Sequence, residues 1–390
     1  MNNKQWMELA TLIKAEYQKE VVGLHEPTFN HKEVEYVTDC IKSGWVSSVG
    51  SYVNRFEEEL ARFVGVKRAV AVVNGTAALH ISLKLVGVVE EDEVLIPSLT
   101  FVATANAVTY IRAIPHFVDV NRESLGIDPM KLEGYLESIG ELRQGELYNK
   151  NTNRRIKALV PMHTFGHPCM MDELISVCEK FNLELVEDAA ESLGSYYKEK
   201  HTGSFGRVSA VSFNGNKIIT TGGGGAILTD DEILADYAKH LTTTAKVPHQ
   251  WMYLHDEIGF NYRMPNLNAA LGCAQLEKLP SFIESKRKLA ETYSLWLEEI
   301  EGVRLFKEIS IARSNYWLQT MLIEDKNHKE EILEFLNGQG VMCRPVWSPL
   351  HTLKMYQSCP RSDLSETEYL NAVIISMPST PLSEVSTVES

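Results

Sequence analysis

From residue 68 to residue 229 the chain repeats one pattern: a short apolar run, a turn of polar or small residues, then, in most repeats, a stretch of helical composition. Strand-like runs fall at Arg68–Val73, Val94–Ile96, Pro115–Val120, Ile156–Pro161, Leu183–Asp188 and Val208–Phe213, and a seventh starts at Ala226. A strand that is followed by a helix returns to pair in parallel, and the helices then cover both faces of the sheet. The pattern therefore predicts an α/β fold with a large, mostly parallel seven-stranded sheet. Such sheets bind ligands beyond the carboxyl ends of their strands. Gly75, Thr76, Phe101, His163, Asp188 and Lys217 all fall at or just after strand ends, so the topology lets them converge.

A chain of 390 residues exceeds one ordinary core. After residue 230 come helical stretches at 231–240, 266–279 and 280–299, then a smaller α/β pattern with a strand over Ser314–Ile323, a helix over 327–338 and an extended run over 342–346. The division expected is an N-terminal helical arm over 1–30, a large domain over 31–255 and a smaller C-terminal α/β domain over 256–390. Residues 129–155 read as an acidic helix followed by a polar loop, and Pro381–Ser390 as a frayed end. A net charge of −14 disfavours nucleic acid or an anionic membrane as partner. Six cysteines without C-x-x-C spacing, and a start without an apolar signal region, fit reduced thiols in a cytoplasmic protein. No carboxylate or thiolate is spaced to make a metal site with His163 and His167, so no metal is expected.

The chemistry concentrates in Val208–Thr229. A β-branched run ends in a polar turn carrying Lys217, and two threonines and four glycines, Gly222 to Gly225, precede the next strand. A lone lysine beside glycines suits a Schiff-base amine, although a glycine-rich hairpin with a solvated lysine has the same signature. Asn74-Gly-Thr-Ala77 ends a strand and opens a helix, where free N–H groups and the helix dipole favour a phosphate. Taken alone, Gly-Thr is also a common strand–helix turn. A phosphate-binding helix start, a nearby aromatic, a strand-end aspartate and a glycine-flanked lysine are together what pyridoxal phosphate needs. The lysine forms an imine with the aldehyde, the aspartate keeps the pyridine nitrogen protonated, and an aromatic stacks on the ring.

The sequence resembles the fold type I pyridoxal phosphate enzymes that aminate nucleotide-linked keto sugars. The resemblance spans nearly the whole chain. It is carried by Asn74-Gly-Thr-Ala-Ala-Leu79, Pro97-Ser-Leu-Thr-Phe-Val-Ala-Thr-Ala-Asn106, Glu187-Asp-Ala-Ala-Glu-Ser-Leu-Gly194, Ser212-Phe-Asn-Gly-Asn-Lys217 and Gly259-Phe-Asn-Tyr-Arg-Met264. It implies that Lys217 carries the cofactor and moves the substrate proton, and that Asp188 holds the pyridine nitrogen. By the same resemblance Gly75, Thr76 and Ser212 bind the phosphate, with Asn261 reaching in from the partner of a homodimer with shared active sites, Ala77 also binds the cofactor, and Phe101 stacks on the ring. Two positions depart from many relatives. Glu191, near the cofactor's phenolic oxygen, stands where glutamine is common, and Gly223 stands where glutamate is common.

For the substrate, the resemblance suggests Arg263, Asn315 and Tyr316, and the polar and aromatic groups near the inferred cleft add Trp45, Ser47, His163, Arg344 and Trp347. The segments Pro161–Pro168, Thr242–Pro248 and Arg344–Trp347 look like a subgroup serving legionaminic acid and bacillosamine-type sugars. The function expected is transfer of an amino group from L-glutamate to C4 of a UDP-linked 2-acetamido-2,6-dideoxy-4-keto-hexose, by way of pyridoxamine phosphate. The rivals are an eight-carbon keto-deoxy acid or a GDP-linked 4-keto sugar as substrate, and, from another class, a cofactor-binding regulatory protein.

Overall fold

The computed structural model describes residues 3–382, so the expectation for the chain end falls, from residue 383 on, outside the described residues. The strands that build the two main sheets are β1 (Arg68–Val72), β2 (Glu93–Pro97), β3 (Ile114–Val118), β4 (Gly140–Arg143), β5 (Glu146–Asn149), β6 (Arg155–Leu159), β7 (Glu184–Asp188), β8 (Val208–Ser212) and β9 (Gly225–Thr229), followed by β10 (Val303–Leu305), β11 (Gln319–Ile323), β12 (Arg344–Pro345) and β13 (Ile374–Met377). Seven of them form the spine of the large sheet in the order β1-β9-β8-β7-β6-β2-β3. All neighbours in it are parallel except β9, which runs antiparallel to β1 and β8. That exception follows from the chain: the β8–β9 connection is a glycine turn with no helix to carry it across the sheet. The expected seven strands, mostly parallel, are this spine, and β4 and β5, attached through β6, bring the sheet to nine.

Helices α1 (Asn3–Tyr17), α2 (His31–Ser43), α3 (Ser51–Val64), α4 (Gly75–Leu85), α5 (Val102–Tyr110), α6 (Pro129–Ile139), α7 (Met171–Phe181) and α8 (Glu232–Thr242) precede a long helix, α9 (Asn266–Glu298). Their ends are written locally. Asn30 and Glu33 make a reciprocal capping box at the start of α2, and Gly44 ends it in the left-handed conformation. Helices α4, α5 and α8 pack on one apolar layer with the sheet's Val70, Val94 and Ile227, while α6 and α7 share another with Leu95 and Leu159.

Three expectations are corrected. The two helices expected at 266–279 and 280–299 are one, with Pro280 inside it. A proline removes one backbone bond, and Leu276, Leu279, Phe282 and Ile283, buried on both sides of Pro280, hold the helix across the gap. Residues 140–149 are no loop but the β4–β5 hairpin, and β5 pairs antiparallel with β6. The strand expected over Ser314–Ile323 starts only at Gln319, because the side chains of Ser314 and Asn315 bond backbone groups of other segments.

The C-terminal sheet is antiparallel in the order β10-β11-β13-β12, accompanied by α10 (Lys329–Gly338) and α11 (Ser365–Val373). Trp6, Leu9 and Ile13 of α1 are buried in the same apolar cluster as Leu333 and Leu336 of α10. Among the described residues no helix is long and apolar enough to cross a membrane.

Candidate active site

At the carboxyl edge of the large sheet, the end of β7, the turn after β8 and the start of α4 enclose a cavity of about 380 Å³. Asn74 caps α4 by accepting the Ala77 N–H at 2.8 Å. This leaves the Gly75 and Thr76 N–H groups without an intrahelical acceptor, at the positive end of the helix. Two glycines make the approach work. A Cβ on Gly75 would lie 2.8 Å from the Ser212 Cβ, and one on Gly225 would lie 2.5 Å from the Asn74 carbonyl carbon. Only glycine lets β8 and β9 come this close to the helix start.

Asp188 ends β7 and is buried. Its Oδ2 accepts the Thr104 hydroxyl at 2.8 Å and its Oδ1 accepts the Ala190 N–H at 3.2 Å. Burial raises its carboxyl above the usual range, while these two donors and the Lys217 ammonium work in the opposite direction. Lys217 Nζ donates to Glu191 Oε1 at 3.0 Å and lies 3.9 Å from the centre of the Trp317 ring. Glu191 Oε2 accepts the Phe165 N–H at 2.9 Å. Burial pushes the Glu191 carboxyl up to about 7, against the pull of the Lys217 ammonium and the Phe165 N–H.

Phe101, half exposed at the start of α5, begins a line of aromatic rings. Its ring centre is 6.4 Å from Trp347, Trp347 is 5.0 Å from Phe165, and Phe165 is 6.3 Å from Trp317.

Gly75, Thr76, Phe101, Asp188, Glu191, Ser212 and Lys217 therefore meet on one cavity wall, with Trp347 beside them. Other expected residues stand elsewhere. Ala77 does not line the cavity, because its N–H is taken by the Asn74 cap. His163 is fully buried: its Nδ1 accepts the Cys169 N–H at 3.1 Å and its Nε2 donates to Glu187 at 3.1 Å. Both nitrogens are spent on the fold, which removes it as a substrate ligand. Asn315 is likewise spent, donating to the Glu191 and Leu193 carbonyls at 2.9 Å each. Tyr316 packs edge-on against His167, 5.2 Å away, on the side of Arg287.

Trp45 and Ser47 lie on an exposed loop whose carbonyls accept the Asn266 side-chain and backbone N–H groups, both at 2.7 Å. Asn261 is bridged to Thr243 after α8 and Arg263 to Val72 at the end of β1, and neither lines its own chain's cavity. Thr104 and Trp317 are site residues that sequence reasoning missed. Thr104 follows Phe101 by three residues, one helical turn, and that spacing was a usable signal. Trp317 sat inside a misassigned strand and gave none.

A model of the DegT/DnrJ/EryC1/StrS aminotransferase family matches residues 27–390. The chain belongs to this family. EpsN of Bacillus subtilis (strain 168), named as a pyridoxal phosphate-dependent aminotransferase, is 39% identical over 335 residues, 86% of this chain and 84% of that protein. GDP-perosamine synthase of Escherichia coli O157:H7 is 38% identical over 335 residues, 86% of this chain and 87% of that one. Among solved structures, a family aminotransferase from Brucella abortus superposes with a TM-score of 0.82 at 28% identity, covering 91% of this chain and 92% of that one. The protein is thus a pyridoxal phosphate-dependent sugar aminotransferase. Its cavity fits the cofactor chemically, offering a primary amine, a buried carboxylate and a helix start opened by glycines.

Proposed function

We propose that this aminotransferase moves the amino group of L-glutamate to the C4 ketone of a nucleotide-linked 4-keto-6-deoxy sugar, releasing 2-oxoglutarate. The observation that carries the site assignment is that Lys217, on the turn after β8, and Asp188, at the end of β7, share one cavity with the start of α4. Bound pyridoxal phosphate supplies an aldehyde for the amine and a ring that takes up the electron pair left when a carbon loses its proton.

In this reading Lys217 would hold the cofactor through its amine and would carry the proton at the reacting carbon. Asp188 holds a proton at the pyridine nitrogen, which gives its buried carboxylate the positive partner that burial demands. Gly75, Thr76 and Ser212 hold the phosphate, and Phe101 covers the ring. Trp317 and Trp347 keep water from the amine. Asn261 and Arg263 serve the partner's site in a homodimer. That assembly is supported by exposed apolar side chains on the segments flanking them, among them Trp45 (58% exposed), Trp251 (73%), Tyr253 (82%) and Ile258 (86%).

For the sugar we favour the UDP-linked 2-acetamido-2,6-dideoxy hexose that the local segments suggest. The second reading, a GDP-linked 4-keto sugar, is supported by relatives named GDP-perosamine synthase at 38% and 36% identity. Borohydride reduction followed by peptide mass spectrometry tests the lysine, and cofactor recovered on any other residue refutes it. Mixing the pyridoxamine-loaded protein with a panel of UDP- and GDP-linked keto sugars, and following return of the cofactor's absorbance, decides the substrate. A protein that responds to none of them refutes both substrate readings.

A further inference from the structure

We propose that Trp317 is a positioning residue for Lys217: its indole face seats the ε-ammonium and, with Glu191, fixes where that amine stands whenever it is free of the cofactor. The proposal rests on Lys217 being the reactive amine.

Five linked contacts support it. Lys217 Nζ lies 3.9 Å from the Trp317 ring centre and 3.0 Å from Glu191 Oε1, so the cation has a π face and a carboxylate as walls. The ring is tied to the lysine's own backbone, because Trp317 Nε1–H donates to the carbonyl of Asn216, the preceding residue, at 2.7 Å. The two walls are tied to each other through Asn315. Its Oδ1 accepts the Trp317 N–H at 2.8 Å, while its Nδ2 donates to the Glu191 carbonyl at 2.9 Å. Gly166 makes room for this bracket, since a Cβ there would fall 1.8 Å from Asn315 Oδ1.

The seat is dry. The Lys217 side chain is 13% exposed and Trp317 is 4% exposed, so water competes poorly for the ammonium and the ring's quadrupole acts at low dielectric. A lysine stem has four rotatable bonds, and an amine that must act as a proton carrier gains from having that freedom removed beforehand. A buried indole N–H needs an acceptor in any case, and here the acceptor is the carbonyl that precedes Lys217, which sets the ring face under the cation.

The test reads the amine itself. The full-length chain, stripped of cofactor, is labelled with isotopic acetic anhydride across a pH series, and each lysine's reaction half-point is obtained by peptide mass spectrometry. Trp317→Leu is expected to lower the Lys217 half-point by about one pH unit, a roughly tenfold loss of proton affinity. Trp317→Phe, which keeps a weaker π face, is expected to lower it by less, and the other lysines report an intact fold by keeping theirs. A Trp317→Leu protein with an unchanged thermal transition and an unchanged Lys217 half-point overturns the proposal. Should the leucine variant fail to fold, Trp317→Phe decides: a lowered half-point supports the seat and an unchanged one overturns it. The labelling needs no bound cofactor, so its outcome stays separate from borohydride trapping, which tests the reading above.

Discussion

Three charged side chains dominate at the residue scale, and each has a different reason for its state. Lys217 has the only amine that lines the cavity among the described residues. Lys217→Ala is expected to lower turnover by about a thousandfold or more and to abolish borohydride fixation of the cofactor. Glu191 is held by burial at a carboxyl value of about 7, so it changes charge within the working range of pH. A pH–rate profile of the parent should bend near that value, and the bend should vanish in Glu191→Gln, which keeps the shape and loses the titration. Asp188 depends on the Thr104 hydroxyl to offset burial. Thr104→Val removes that donor from a buried carboxylate, and spectrophotometric titration should show cofactor binding weakened by about tenfold.

At the scale of elements, the site exists because α4 starts where β8 and β9 nearly touch it. Gly225→Ala would force a methyl against the Asn74 backbone. A loss of about 1–3 kcal/mol in thermal or denaturant unfolding is expected, together with weaker retention of cofactor, since the helix start must move. The strands and helices that make this edge were readable from periodicity, because each buries its apolar residues against immediate neighbours. Phe165, Trp317 and Trp347 were not readable as one aromatic line. They come from three separate stretches of chain, and nothing local to Trp317 says that a lysine one hundred residues earlier ends beneath it. His163 shows the opposite failure. Its place at a strand end suggested a ligand, yet Glu187 and the Cys169 N–H take both its nitrogens.

For the whole molecule, two properties are open to measurement. If Asn261 and Arg263 serve the partner's cavity, mixing inactive Lys217→Ala and Arg263→Ala chains should restore up to about a quarter of parental activity, because half of the resulting dimers carry one intact site. No recovery, from chains shown by light scattering to exchange, would count against shared sites. The second property is stability in acid. His167 is fully buried with neither ring nitrogen partnered among the described residues, and burial together with Arg287 pushes its value down to about 3. His201 is pushed down to about 4, chiefly by burial. In the unfolded chain both take a proton near pH 6.5, so their contribution to stability is present above roughly that pH and is lost as pH falls toward the folded values. The two histidines should therefore lower the melting temperature from about pH 6.5 downward, offset in part by Glu191, whose raised carboxyl regains a proton over the same range. His167→Leu should melt no lower than the parent at neutral pH and show a shallower decline in acid, since it removes an unpartnered polar group.

The residues alone determined the α/β class, the seven strands, the lysine, the aspartate and the helix start that face one another. Those features depend on local periodicity and on the rule that parallel strands present their carboxyl ends together. Only the tertiary structure decided which neighbours each polar group meets. Packing made His163 and Asn315 parts of the scaffold, spent the Ala77 N–H on a cap, and brought Trp317 under Lys217. A side chain's chemistry is written in its own residue, but its availability depends on which donors and acceptors the fold brings within about 3 Å of it.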